Sequence, residues 1–511
     1  MGADGWDLIV VGAGSAGAAL AVRSAEQGKR VLLLEAGADC RSARTPEEWR
    51  SPNPAVALMH PTAAAGMVWQ GLDATRTEKQ PAAPYWRGRG TGGSSAINGQ
   101  IAIRPPMADF TDWALPGWSP QDVLPYFARL EDDEEFGDEP YHGRGGPTPI
   151  HRTPQDRWGG VDAALARSAL AAGHPWAADV NAPEATGVSP YPINSRAGRR
   201  VSVNDGYLEP ARGRANLAIR GDALVDRVLF RSGRAVGVRV ITSGTAVDEY
   251  ADTVVLSAGA IHSPAILLRS GIGPARHLAS LGIEVRQDLP VGQGLQDHPM
   301  ALISLPLTEA AAVKSPHDRH TNVCVRWTSE AGEFSDDLMF VSLNQNVLAM
   351  AAADPGVHSG AFGVWLNQNH SRGELTLTSA DPTAQPQVAE RMLSDERDLT
   401  RLREGVRKLA GLARSAETAP ALASTVEGAN PELFRVLDND AELDDYLLTT
   451  VVDAQHGTST CRMGEVVDPA CRVLGVDGLR VVDASVFPSV PRANTNLATI
   501  MLGEAMADRL G

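Results

Sequence analysis

Apolar residues in positions 1–37 fall into three blocks: a continuous run from Leu8 to Val11, an Ala-rich stretch with helical spacing, and a second run from Val31 to Leu34. Short unbroken apolar runs on either side of a helix read as buried parallel strands joined by a crossover. Gly12, Gly14 and Gly17 stand at the turn from strand to helix, and the second strand ends at Glu35 and Ala36. That order is the setting a dinucleotide fingerprint requires. Gly12 permits the tight turn, Gly14 lets the backbone approach a pyrophosphate, and Gly17 lets helix and strand pack closely. Ser15 and Ala16 open the helix, whose free N–H groups and positive dipole end favour phosphate. Glu35 can accept hydrogen bonds from both ribose hydroxyls, and its charge disfavours the 2′-phosphate of NADP.

Further along, the periodicity changes. Residues 60–115 are rich in Pro, Gly and Trp, which suggests a long ordered loop region with a functional role and makes Trp69 a candidate cavity wall. QDVLPYFARL has a helical pattern, and the acidic run EDDEEFGDEP at 131–140 reads as a solvated loop. Short apolar strands alternate with turn residues over 217–257, and 253–271 repeats the strand, glycine turn and helix, as a second pass through the same sheet. FGVWLNQN and GELTLTS, within 300–390, suggest an antiparallel sheet, and 395–415 is helical. The C-terminal block GLRVVDASVFPSVPRANTNLATIMLGEAMADRL reads as strand, proline-rich loop and helix. The expected fold class is α/β, α+β overall. A nucleotide-binding domain with a parallel sheet would be assembled from 1–155, 205–295 and 450–511, leaving 156–204 and 296–449 for a second domain with an antiparallel sheet.

Composition narrows the function classes. A chain of 511 residues exceeds one compact core, so two domains are expected. With 43% hydrophobic and 21% charged residues it reads as soluble and globular. The net charge of −16 argues against nucleic acid or an anionic membrane as partner. No apolar stretch of about 18 residues suggests a membrane span. The first strand is under way by Leu8, which leaves no room for a signal peptide and points to the cytoplasm. Cys40, Cys324, Cys461 and Cys471 form no CxxC pair and are expected as reduced thiols. His262, His298, His317, His320 and His370 lack metal-ligand spacing, so no metal is expected, and the absence of GxSxG argues against a serine hydrolase.

Five segments together resemble the glucose–methanol–choline (GMC) oxidoreductase family: VGAGSAG with Glu35, GRGTGGSSAING at 88–99, GAIHSPAILLRSGIG at 259–273, HGTSTCRMG at 456–464 and VDASVFPSVPRANTNLATIMLGE at 482–504. The second is similar to the family's first signature, from which Thr91 departs, and the third matches its second signature. Among family members the chain is closest in appearance to bacterial hydroxymethylfurfural oxidase-like and choline dehydrogenase-like proteins. The resemblance implies FAD in a Rossmann-type domain, a smaller antiparallel domain roofing the substrate pocket, and oxidation of a small-molecule alcohol to an aldehyde or ketone. Oxygen or another electron acceptor would then reoxidise the flavin.

By the same resemblance His456 occupies the place of the catalytic histidine and Asn494 the second catalytic position. An imidazole accepts a proton readily near neutral pH, whereas Asn can only donate or accept a hydrogen bond, so His456 is the expected base. Arg89, Gly92, Gly93 and Ser94 belong to a loop wrapping the cofactor, and Asn98 and Gly99 would sit beside the flavin N5–C4 edge. Ile97 stands where choline oxidase-like members carry a histidine joined to FAD, so the FAD is expected to be non-covalent. Val225 is placed at the adenine, Ala258 beside the cofactor, Asp483 and Ala484 near the pyrophosphate and ribityl chain, and Thr495 and Asn496 at the pyrimidine end. Asp483 is expected to bond a hydroxyl, since a carboxylate repels phosphate. The alternative class is a hydroxynitrile lyase-like protein that keeps FAD without net redox chemistry. A NAD-dependent dehydrogenase ranks last, because it leaves the C-terminal segments unexplained.

Overall fold

A computed structural model of the chain describes residues 5–58, 66–345 and 358–510; residues 59–65 and 346–357, within two stretches discussed above, lie outside the described residues. Strand Trp6–Val11 pairs in parallel with Val31–Leu34 on one side and with the later half of Thr245–Leu256 on the other. Leu217–Arg220 extends the sheet beyond Val31–Leu34, and Leu479–Val481 adds a further parallel strand beside Thr245–Leu256. Ile9, Val10 and Val31 to Leu34 are buried, as continuous apolar strands covered on both faces must be. The earlier half of Thr245–Leu256 runs antiparallel to Arg234–Thr242, which pairs in turn with Leu224–Arg231.

The first helix, Ser15–Glu26, packs along the last, Thr495–Arg509. The approach is close enough that a Cβ on Gly503 would stand 2.4 Å from the Ala16 carbonyl oxygen. Between them Glu504, fully buried, accepts from Arg23 at 2.9 Å and from the Tyr207 hydroxyl at 2.7 Å.

A six-stranded antiparallel sheet forms the other layer, in the order 452–453, 299–306, 359–366, 338–343, 323–327 and 187–190. Its strands alternate with period two. Ile303, Leu305, Leu338, Phe340, Val364 and Leu366 pack under helices Gly160–Ala171 and Glu396–Ala413. Met300, Met339, Val341 and Trp365 point the other way, into a cluster with Ile101 and Tyr191. A smaller sheet ties 73–75 and 83–84 to 293–295, 373–376 and 387–389. Among the described residues no helix is long and apolar enough to cross a membrane.

The acidic run differs from its expected form. Glu131 and Asp133 are fully buried, on a short strand paired with Thr148–Arg152. Arg104 grips Glu131 through two nitrogens, and Arg152 reaches Asp133 at 3.0 Å and Asp179 at 2.6 Å. His142 bridges Glu131 at 2.9 Å and Asp179 at 2.8 Å. Arginines from distant segments supply the countercharge that burial demands, and a run of acids viewed alone does not show them. The rest of the run, from Glu134, lies at or near the surface.

Candidate active site

A cavity of about 670 Å³, within the usual size of ligand sites, is bordered by residues of both large sheets. Its floor is two glycine loops in backbone contact. Gly12 has φ 103°, a conformation L side chains avoid, and a Cβ on Gly17 would stand 2.0 Å from the Gly12 carbonyl oxygen. A Cβ on Gly93 would stand 2.7 Å from Gly14 Cα, and the Gly92 N–H donates to the Ala13 carbonyl at 2.9 Å. Glu35 fastens these loops: its carboxylate accepts the N–H of Ala13 at 3.0 Å and of Gly37 and Gly90 at 2.9 Å each. Burial raises its pKa from the ordinary value, and the three donors oppose that rise. With three of about four lone-pair positions used, Glu35 keeps one for a ligand hydroxyl, where the sequence suggested two. Helix N-termini at Ser15, Gly259 and Thr495 all border the cavity. Three positive helix ends and a cradle no Cβ could occupy suit a phosphate-bearing dinucleotide such as FAD.

Asp483 also ties the floor together. Its Oδ2 accepts the Gly259 N–H at 2.9 Å and the Ser263 hydroxyl at 2.5 Å, and its Oδ1 accepts the Ser485 N–H at 2.9 Å. It thereby secures the start of helix Gly259–Arg269 at the cavity edge. Asn496 Oδ1 accepts from the Ser15 hydroxyl at 2.8 Å, while Asn496 Nδ2 is buried without a partner.

The opposite chemical element of the cavity is an imidazole pair. His298 Nε2 lies 3.0 Å from the Pro491 carbonyl, which can only accept, so that nitrogen carries the hydrogen. Neutral His298 therefore offers a bare Nδ1. His456 Nδ1, 2.9 Å away, must donate to it. His456 Nε2 is then the bare nitrogen, 3.0 Å from the Asn494 amide nitrogen and facing the cavity. Burial holds His298 down to about 4 and, with His298 and Arg87 nearby, holds His456 well below the usual imidazole value. Both are neutral at neutral pH. Trp365 stands edge-on to His456 with ring centroids 5.3 Å apart, and Asn494 Oδ1 is buried without a partner.

Behind His456 lies a cluster of acids. Asp297 Oδ1 accepts the main-chain N–H of His456 at 2.8 Å and of His298 at 2.7 Å, and its Oδ2 accepts the Tyr85 hydroxyl at 2.7 Å. Arg87 stands 3.6 Å from Asp297, and Arg76 donates to Asp453 at 2.5 Å. Glu390 is 2% exposed, and neither of its carboxyl oxygens has a hydrogen-bond partner. Asp297, Glu390 and Asp453 each bring an oxygen within 4.8 Å of the others, a spacing a metal could use. Two guanidinia already supply countercharge, however, and leave a single negative charge to relieve. Burial and the neighbouring Asp453 push Asp297 up to about 7 and Glu390 well above the carboxylate range, so the cluster carries a proton near neutral pH.

The structure brings most of the residues singled out in the sequence to this one cavity. His456 and Asn494 border it together with Gly12, Gly14, Ser15, Ala16, Glu35 and Ala36. Gly93, Ser94, Asn98 and Gly99 border it from the second loop, as do Val225, Ala258, Asp483, Ala484, Thr495 and Asn496 from later segments. Gly17, Arg89 and Gly92 do not. Gly17 is taken up by helix–strand contact and Gly92 by its bond to Ala13, while Arg89 donates to the Ala36 carbonyl at 2.9 Å and lies 5.3 Å over the Trp69 ring. Trp69 itself lines the cavity, stacked on His262 at 3.9 Å. The sequence did not single out Asp297 or Trp365, and it considered His298 only as a metal ligand. A usable signal was present: Gln296, Asp297 and His298 form a polar triplet immediately before an alternating strand, and all three are buried.

Comparisons with known proteins agree with this geometry. Two profiles described as GMC oxidoreductase match residues 6–300 and 369–503. The chain is 36% identical to 5-(hydroxymethyl)furfural oxidase of Methylovorus sp. (strain MP688), over 99% of this chain and 98% of that protein. It is 33% identical to the oxygen-dependent choline dehydrogenase of Photobacterium profundum, over 99% of this chain and 93% of that protein. Its fold matches the crystal structure of pyridoxine 4-oxidase from Mesorbium loti with a TM-score of 0.87 and 28% identity, over 99% of each chain.

Proposed function

The chain belongs to the GMC oxidoreductases, FAD-dependent enzymes, and from that membership we propose that it oxidises the CH–OH group of a small neutral alcohol to an aldehyde or ketone, with His456 as general base. The observation that carries this reading is the bare Nε2 of His456, fixed by the Pro491–His298 relay and turned into the cavity beside Asn494. The alcohol hydroxyl would take the place of the Asn494 amide at His456 Nε2, opening their 3.0 Å contact, and its proton passes to Nε2 while the freed amide donates to the alcohol oxygen. Bound FAD supplies the acceptor for the hydride that leaves the carbon. His456 is held neutral at neutral pH, so the base needs no prior deprotonation.

The glycine turn from Gly12 to Ala16 would hold the pyrophosphate, Glu35, Ala36 and Val225 the adenosine end, and the segment Gly93–Gly99 with Thr495 and Asn496 the flavin. Ile97, which borders the cavity and carries no nucleophile, supports non-covalent attachment. Met300, Leu302, Val341, Leu343 and Trp365 give the substrate side an apolar wall. The carboxylates that border the cavity, Glu35, Asp453 and Asp483, already hold partners of their own. This supports an uncharged substrate over a cation that would be held by a free carboxylate.

Anaerobic mixing of the FAD-loaded protein with a panel of alcohols tests the reading. Bleaching of the yellow flavin by a neutral aromatic or aliphatic alcohol is the expected result, and readmitted oxygen then reports whether the acceptor is oxygen. Cleavage of a cyanohydrin to a carbonyl compound and hydrogen cyanide, with no bleaching by any alcohol, would instead establish the lyase chemistry.

A further inference from the structure

Two guanidinia flank the Asn98–Gly99 edge of the cavity without an acid partner. Arg200 is 8% exposed; its Nε donates to the Trp49 carbonyl at 2.9 Å and its Nη1 to Asn98 Oδ1 at 2.8 Å. Its Nη2 is buried and has no partner. Arg319 donates from Nη2 to the Gly99 carbonyl at 2.7 Å and from Nη1 to the Pro52 carbonyl at 3.2 Å. Neither arginine has a carboxylate within ion-pair distance among the described residues. Burial holds each down to about 9, with the Arg319 charge adding to the drop at Arg200, against the opposing pull of Asp205 on Arg200 and Asp162 on Arg319; both stay charged at neutral pH. The neighbouring imidazole of His320 is held neutral by the same two charges and by burial.

The hydrogen bonds settle the orientation of Asn98. Its Oδ1 accepts from Arg200 and from the Gln100 N–H at 3.0 Å. Its Nδ2 has no partner among the described residues, and Asn98 borders the cavity. The amide therefore presents a donor to whatever lies there, with a guanidinium behind it that strengthens that donor.

We propose that Arg200 is a positioning residue for the flavin: it locks the Asn98 amide with Nδ2 facing the cofactor and leaves uncompensated positive charge behind it, which raises the cofactor's reduction potential. This rests on the placement of the flavin N5–C4 edge at Asn98 and Gly99. Electron density added to the ring on reduction is stabilised by a fixed donor and a nearby cation in a site that excludes water. A buried guanidinium is costly to leave unpaired, and assistance to an electron-accepting ligand gives that cost a use.

The test is the midpoint potential of FAD-loaded Arg200→Met and Arg200→Lys, measured by dye equilibration beside the visible spectrum and the melting temperature. Arg200→Met is expected to lower the equilibrium constant for flavin reduction by about tenfold or more, about 30 mV for a two-electron couple. Arg200→Lys, which keeps the charge but loses the fork, should fall between Met and wild type. Asn98→Ala should shift the potential in the same direction as Arg200→Met, and with Arg200→Lys it decides the matter if the Met variant does not retain FAD. A potential unchanged in these loaded variants, with only the melting temperature lowered, would reduce Arg200 to a structural role and overturn the proposal. A wild-type protein that takes up no FAD even on reconstitution would overturn the functional reading itself, a failure distinct from an unmoved potential.

Discussion

The wall that carries His456 and the wall that carries Asn98 treat buried charge differently. Beside His456, three carboxyls meet two guanidinia, and the excess is negative until a proton relieves it. Beside Asn98, two guanidinia meet only carbonyl and amide oxygens. Each arrangement leaves part of a desolvation cost of several kcal/mol per ion uncompensated. The basic wall suits the proposed reaction, in which negative charge is delivered toward it while the proton goes to His456 on the other wall. Fixed charges already placed where reaction charge develops need no reorganisation at the moment of transfer.

The largest disturbance of this pairing is expected from His456→Ala. Turnover should fall by about two orders of magnitude or more with FAD retained, measured as the rate of flavin reduction in stopped flow; a rate near wild type would remove His456 from the base role. His298→Ala comes next. Without its partner the His456 ring loses its fixed tautomer, and a loss of about tenfold to a hundredfold is expected. The pH profile sharpens this variant. In the wild type, His456 is depressed below the usual 6.5, so activity should persist as pH falls through that value. Removing His298 removes one cause of the depression, and the acid limb of kcat/KM should move upward.

The smallest effect is expected from Glu390→Gln, and it tests the acidic wall alone. Asp297 and Glu390 have raised pKa values in the folded state, so the native cluster binds protons that the unfolded chain releases. Their contribution to stability is full below the unfolded carboxylate value and is lost as pH rises, for Asp297 through about 7 and for Glu390 through a value well above the carboxylate range. The wild type should therefore melt lower at about pH 8 than at about pH 6, and Glu390→Gln should flatten that difference by about one to a few degrees. Calorimetry at the two pH values checks it; an undiminished slope in the variant means the proton resides elsewhere.

Local pattern made the glycine floor legible. Gly12, Gly14, Gly17 and Glu35 lie within one strand–helix–strand unit, and their spacing alone states what the backbone must do. His456 and Asn494 were reached through resemblance to a family signature, since no periodicity marks them. The rest depended on pairs far apart in the chain. His298 and His456 are separated by 158 positions, and only a shared carbonyl at Pro491 reveals which nitrogen is bare. Charge was the least readable feature. EDDEEFGDEP reads as solvated, and only Arg104 and Arg152, outside the run, explain the burial of its first residues, while nothing in the sequence marks Arg200 as lacking a carboxylate.

Helix 495–509 finishes what residues 6–37 begin: it covers Ala16, neutralises Arg23 and brings Asn494 to His456. A chain cut before residue 494 would lose the cover over Ala16 and the amide beside His456 in one stroke, so both ends of the cavity depend on a single helix.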